Sequence, residues 1–125
     1  MAVDWQAKER AQVEAALARH PVTSGRCAAV ARVVYEVGAA RDPATRGRHL
    51  RPKGAERYVV PKHDPNPRWG NHTFSETHGH AVDALTGSGG CLAGDYLAAH
   101  WEEVDYLLVH DIDPFTVDPG IEDDT

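Results

Sequence analysis

The first regular pattern along the chain lies over residues 4–20, where Val13, Ala16 and Leu17 recur at helical spacing among charged and polar positions. This spacing predicts an amphipathic helix, with Asp4 as its N-cap and Pro21 as its stop. A short loop, PVTSGR, follows. Then CAAVARVVYEVGAA carries small and apolar residues almost all round, which predicts a second, largely buried helix. Ser24 or Gly25 would cap it, placing Cys27 in its first turn.

Periodicity then fades. Residues 41–68 are rich in Pro, Gly and Arg, and read as a long ordered loop with one short strand, RYVV, at 57–60. Over 71–85, Phe74, Ala81, Val82 and Leu85 suit strands, and His78-Gly79 supplies turn chemistry, so a β-hairpin is predicted. A two-residue turn there would pair Thr77 with His80 and Phe74 with Asp83. The glycine-rich GSGG ends the hairpin. A short helix around 93–102 and an apolar strand at 104–110 follow, and the acidic tail at about 118–125 is expected to fray. Helices first and strands afterwards predict one α+β domain over 1–125, packed on an antiparallel sheet. A chain of this length can bury roughly two-thirds of the surface its unfolded form exposes.

Charge adds two constraints. The net charge of −6 argues against nucleic acid as a partner, because phosphate binding needs basic surface. Yet residues 41–68 hold eight Lys/Arg against three Asp/Glu, so a basic segment sits on an acidic body. It reads as a solvated loop or as a face for an acidic partner. No apolar run approaches the ~18 residues of a membrane span, and no membrane association is expected. The opening MAVDWQAKER lacks the basic-then-apolar order of a signal peptide. The expectation is a cytoplasmic protein, or a module delivered by a larger exported one.

Two cysteines, Cys27 and Cys91, are too few for a disulfide framework or a structural zinc site. Cys27 is the stronger candidate nucleophile. A helix N-terminus favours the thiolate, and the same amides can bind a developing oxyanion. In the predicted hairpin register, His72 and Asp83 share one face as diagonal neighbours on adjacent strands. Their Cα atoms would lie about 7–8 Å apart, within reach of an imidazole–carboxylate hydrogen bond. Such a carboxylate holds one tautomer and leaves the other ring nitrogen for the thiol. The rival nucleophile, Cys91, follows GSGG and precedes the short predicted helix, but no His–acid pair follows it at hairpin spacing. Asp111, with Asp113 in HDIDPF, is the alternative third member. His72, His78 and His80 also admit a metal-ligand reading, although His78 and His80 fall at a turn. Trp69 and Trp101 are candidate cleft residues or core residues.

These motifs carry a resemblance. SGRCAAVA at 24–31 resembles the nucleophile region of papain-fold toxin and deamidase domains, where a small residue precedes a Cys that opens a helix. HTFSETHGHAVDALTG resembles their His strand and Asp strand, and also the His–Asp block of transglutaminase-like enzymes. The likeness covers about residues 21–90. It implies a papain-like α+β fold, with the nucleophile helix packed on a small antiparallel sheet. Cys27 is then the nucleophile, His72 the general base and Asp83 the orienting acid. The implied activity is acyl transfer through a thioester on a protein or peptide substrate: glutamine deamidation, peptide hydrolysis or transglutamination. It needs no cofactor and no metal. For a toxin domain, the likeness also implies a cognate immunity protein as partner.

Two departures stand out. Papain-like peptidases place a Gln a few residues before the Cys; here Pro21, Val22, Thr23 and Ser24 occupy that stretch. Backbone amides, with Thr23 or Ser24, would have to form the oxyanion hole, and Trp69 would line the substrate cleft. The His strand, Thr73-Phe74-Ser75-Glu76, is also more polar than the likeness predicts. Both features fit the alternative from another class, a non-catalytic protein-binding module on the same scaffold with 41–68 as its docking loop.

Overall fold

The computed structural model describes residues 2–54, 58–63 and 69–117. Helix α1 spans Ala7–Arg19 and buries Val13 and Ala16. Its N-cap is Gln6, not Asp4, because the Glu9 carboxylate reaches back to accept the Gln6 backbone N–H at 2.8 Å. One 3-10 turn, Val22–Ser24, separates it from α2, Cys27–Ala39. The cap of α2 also differs from expectation. Gly25 is left-handed (φ 69°) and turns the chain, while Arg26 holds the N-cap position. Ser24 Oγ accepts the Arg26 N–H at 3.3 Å, bracing that turn from outside the helix.

Five strands form one antiparallel sheet in the order β4-β3-β2-β1-β5. They are β1 (Arg46–Pro52), β2 (His72–Thr77), β3 (His80–Val82), β4 (Cys91–Leu92) and β5 (Leu107–Ile112). Helix α3 (Tyr96–His100) is shorter than the helix expected over 93–102, and a 3-10 turn at Val104–Tyr106 takes the first residues of the expected 104–110 strand. The domain is therefore α+β, as expected.

The largest correction falls on 41–68. This segment contains β1, which lies between β2 and β5. Its sequence, RGRHLRP, does not read as an inner strand because its arginines need distant partners. Arg46 meets Glu76 of β2 at 3.0 Å, and Arg48 pairs with Asp111 of β5. Gly47 is required by packing: a Cβ there would fall 2.3 Å from the Ile112 carbonyl oxygen and 2.7 Å from Pro114 Cδ. Of the expected strand at 57–60, Val59 forms only an isolated bridge to Trp69, and Arg57 lies outside the described residues. The tail at 118–125 lies outside them too.

The hairpin follows its predicted register. Thr77 pairs with His80 and Ser75 with Val82, which brings Phe74 opposite Asp83. His78 and Gly79 both have positive φ (52° and 74°), the backbone of a type I′ turn.

The sheet separates two clusters of buried side chains. On one face Val30, Val34 and Val82 pack with Val3, Trp5 and Val13 beneath the helices. On the other, Leu50, Phe74 and Ala81 pack with Val59, Trp69, Tyr96 and Trp101. Strand β2 is buried on both faces, which explains its polarity. Its hydroxyls find buried partners: Ser75 Oγ donates to the Ala31 carbonyl of α2 at 2.8 Å, and Thr77 Oγ1 lies 2.7 Å from Thr45 Oγ1, just before β1. Small residues let the helix come this close. A Cβ on Gly38 would lie 2.1 Å from Thr77 Oγ1. Among the described residues, no helix is long and apolar enough to cross a membrane.

Candidate active site

Cys27 is the first residue of α2 and is partly exposed. The close seat of α2 on β2 brings its sulfur to the start of the strand, where the Thr73 backbone N–H donates to Sγ at 3.2 Å. A helix N-terminus and a donated amide both favour negative charge on sulfur.

His72 opens β2 and is 1% exposed. Its imidazole is held among rings. It stacks on Phe74 (centroids 5.9 Å apart, 18° between planes) and lies 5.3 Å from both Trp69 and Trp101. Packing of this kind fixes a ring that hydrogen bonds alone would let pivot.

Asp83 follows β3 and is 2% exposed. Every direction around its carboxylate is occupied. Oδ1 accepts the backbone N–H groups of Leu85 and Thr86, both at 3.0 Å. Oδ2 lies 2.8 Å from His72 Nε2 and also accepts the Tyr96 hydroxyl. Burial opposes the charge on Asp83, but the hydrogen bond and charge of His72, with Tyr96 and Thr86, outweigh it and hold the carboxyl below its usual range. An ionised carboxylate only accepts, so His72 donates from Nε2 and turns Nδ1 to its other side.

Cys27 and His72 line one recess with His20, Pro21, Val22, Trp69, Ala84 and Leu85. It amounts to about 10 Å³, room for about one water molecule. Trp69 lines this recess, and Trp101 is core behind His72. Thr23 and Ser24 lie in the turn before α2, with Ser24 engaged by Arg26.

The rival residues are elsewhere. Cys91 opens the edge strand β4 opposite Ala81, instead of preceding a helix. Burial, then Asp95 and Asp83, push its thiol up. Asp111 is exposed on β5 and ion-paired with Arg48, which holds its carboxyl down. Asp113 caps the turn after β5 by accepting the Phe115 N–H at 2.9 Å. His78 is a turn residue and His80 opens β3, and the two are joined by a 2.7 Å contact between His80 Nδ1 and the His78 carbonyl. Among the described residues, no group of three or more His, Cys, Asp or Glu is arranged to hold a metal.

Two participants escaped the sequence reading. Tyr96 has no signal in the sequence beyond its place in the short helix expected around 93–102, and the Thr73 amide belongs to a strand whose register with α2 has no local signal. Only the motif DYLAAH, a polar residue before a short helix, marked the neighbourhood of Tyr96. Comparison with protein-family models, curated proteins and solved structures finds no match for this chain.

Proposed function

We propose that the chain is a cysteine-dependent acyl-transfer enzyme acting on a protein substrate, as a glutamine deamidase or peptidase of papain-like type. The observation that carries this reading is the 2.8 Å His72–Asp83 hydrogen bond at a recess shared with a cysteine on a helix N-terminus. Cys27 gives its proton to His72 Nδ1, and the thiolate attacks the carbonyl carbon of an amide. Asp83 stabilises the imidazolium by accepting from Nε2. The Thr73 N–H, which donates to Cys27 Sγ, and the first amides of α2 would serve as donors to the forming oxyanion. Collapse breaks the C–N bond, His72 returns the proton to the leaving amine or ammonia, and a thioester remains. Water, deprotonated by His72, then releases the acid and restores the thiol. Transglutamination differs only in that an amine replaces this water.

The test is the pH dependence of Cys27 alkylation, with the labelled cysteine located by mass spectrometry. Cys27 should label quickly well below pH 8, and Asp83→Asn should slow it about tenfold or more in protein whose circular dichroism is unchanged. Labelling like an ordinary thiol of pKa about 8.5, insensitive to Asp83→Asn, would remove the catalytic reading. One observation favours a non-catalytic binding module instead, the narrowness of the recess. A Cys27→Ser chain that retains its biological effect would select that reading.

A further inference from the structure

We infer that Tyr96 is a positioning residue of this site: its buried hydroxyl shares Asp83 Oδ2 with His72 and thereby sets the strength of the imidazole–carboxylate pair. The inference rests on the reading of His72 and Asp83 given above, and it adds a member that reading does not use.

Three observations carry it. Tyr96 is 1% exposed, and its ring lies 4.6 Å from Phe74, which in turn stacks on His72. The phenol is therefore held in place by the same aromatic packing as the imidazole. Its hydroxyl donates to Oδ2, the oxygen that accepts His72 Nε2, and not to Oδ1, which two backbone amides already occupy. A hydroxyl that only satisfied a buried carboxylate would serve equally on either oxygen; here it competes with the imidazole for one. Burial, followed by the Asp83 charge, pushes the Tyr96 phenol well above its ordinary range, so it remains a donor wherever the enzyme would work.

The consequence has a sign. A second donor on Oδ2 spreads the carboxylate charge and weakens its pull on the imidazolium. Removing the hydroxyl concentrates that charge on His72 and stabilises the imidazolium–thiolate pair. Tyr96→Phe keeps the ring and deletes only the donor.

The experiment pairs two readouts on the intact chain. In the native protein, the Tyr96 hydroxyl proton should appear by NMR as a slowly exchanging, downfield resonance that disappears in Asp83→Asn. In Tyr96→Phe, the His72 ring should titrate at higher pH than in the native chain, and Cys27 alkylation near pH 6 should rise about threefold or more. A purely structural tyrosine would lower the melting temperature and leave both pH profiles where they were, and that result would overturn the proposal. Absence of the downfield proton in the native protein would overturn it without any variant. The two readings fail separately. If His72 shifts while Cys27 stays sluggish in both chains, Tyr96 positions the pair but the pair does not activate the thiol.

Discussion

The chain holds two cysteines of similar exposure in opposite surroundings, and the contrast lies in what stands beside each sulfur. Cys27 stands at the first residue of a thirteen-residue helix, accepts a backbone N–H, and shares a recess with an imidazole. Cys91 stands on a two-residue edge strand, with burial and the carboxylates of Asp95 and Asp83 pushing its thiol up. The surroundings differ in kind: a helix N-terminus, a donated amide and an imidazole beside one sulfur, burial and then carboxylates beside the other. Asp83 touches both settings. It hydrogen-bonds His72, which shares the recess with Cys27, and adds to the charge that raises the Cys91 thiol.

The sharpest way to break this comparison is to replace each cysteine by serine. Cys27→Ser should abolish rapid alkylation below pH 8 and any amidase activity, whereas Cys91→Ser should leave both unchanged. Equal loss from both variants would dissolve the contrast. Next in size is Asp83→Ala, which strips a buried imidazole of its partner and should cost about 3–5 kcal/mol in denaturant unfolding. That variant also tests the pH dependence. The Asp83 carboxyl titrates lower in the folded chain than in the unfolded one, so its contribution is full above the unfolded value near pH 4. It is lost as pH falls through the folded value. The native chain should therefore lose stability on acidification below about pH 4, and Asp83→Ala should show a shallower acid limb over that interval.

Smaller effects probe how the helix brings Cys27 to β2. Gly38→Ala forces a methyl into Thr77 and should cost about 1–3 kcal/mol. Because the clash sits at the far end of α2, Cys27 labelling should fall less than in Asp83→Asn; an equal fall would mean that the seat of the helix, not the His–Asp pair, governs the thiol. Ser75→Ala removes the bond to the Ala31 carbonyl and should cost about 1 kcal/mol, with labelling unchanged.

How much of this was legible depended on how local each cause is. The hairpin was readable because His78-Gly79 is a turn signal in itself and the register follows by counting. Cys27 was readable because small and apolar residues begin a helix at that position. Strand β1 was not. Arg46, Arg48 and His49 read as solvated, and they become strand residues only when Glu76, Asp111, Thr73 and His110 arrive from β2 and β5. The polar β2 misled for the same reason, since the partners of Ser75 and Thr77 are 44 and 32 residues away.

The sequence alone therefore determined two helices and one hairpin with its register. Each of those follows from neighbours within a few positions, where backbone preference and spacing operate. The tertiary structure decided the rest: that β1 runs through the middle of the sheet, that Asp83 rather than Asp111 reaches His72, and that Tyr96 completes the carboxylate. Those outcomes depend on which buried polar groups find partners when distant segments meet. A donor or acceptor has no assigned partner until burial takes water away from it.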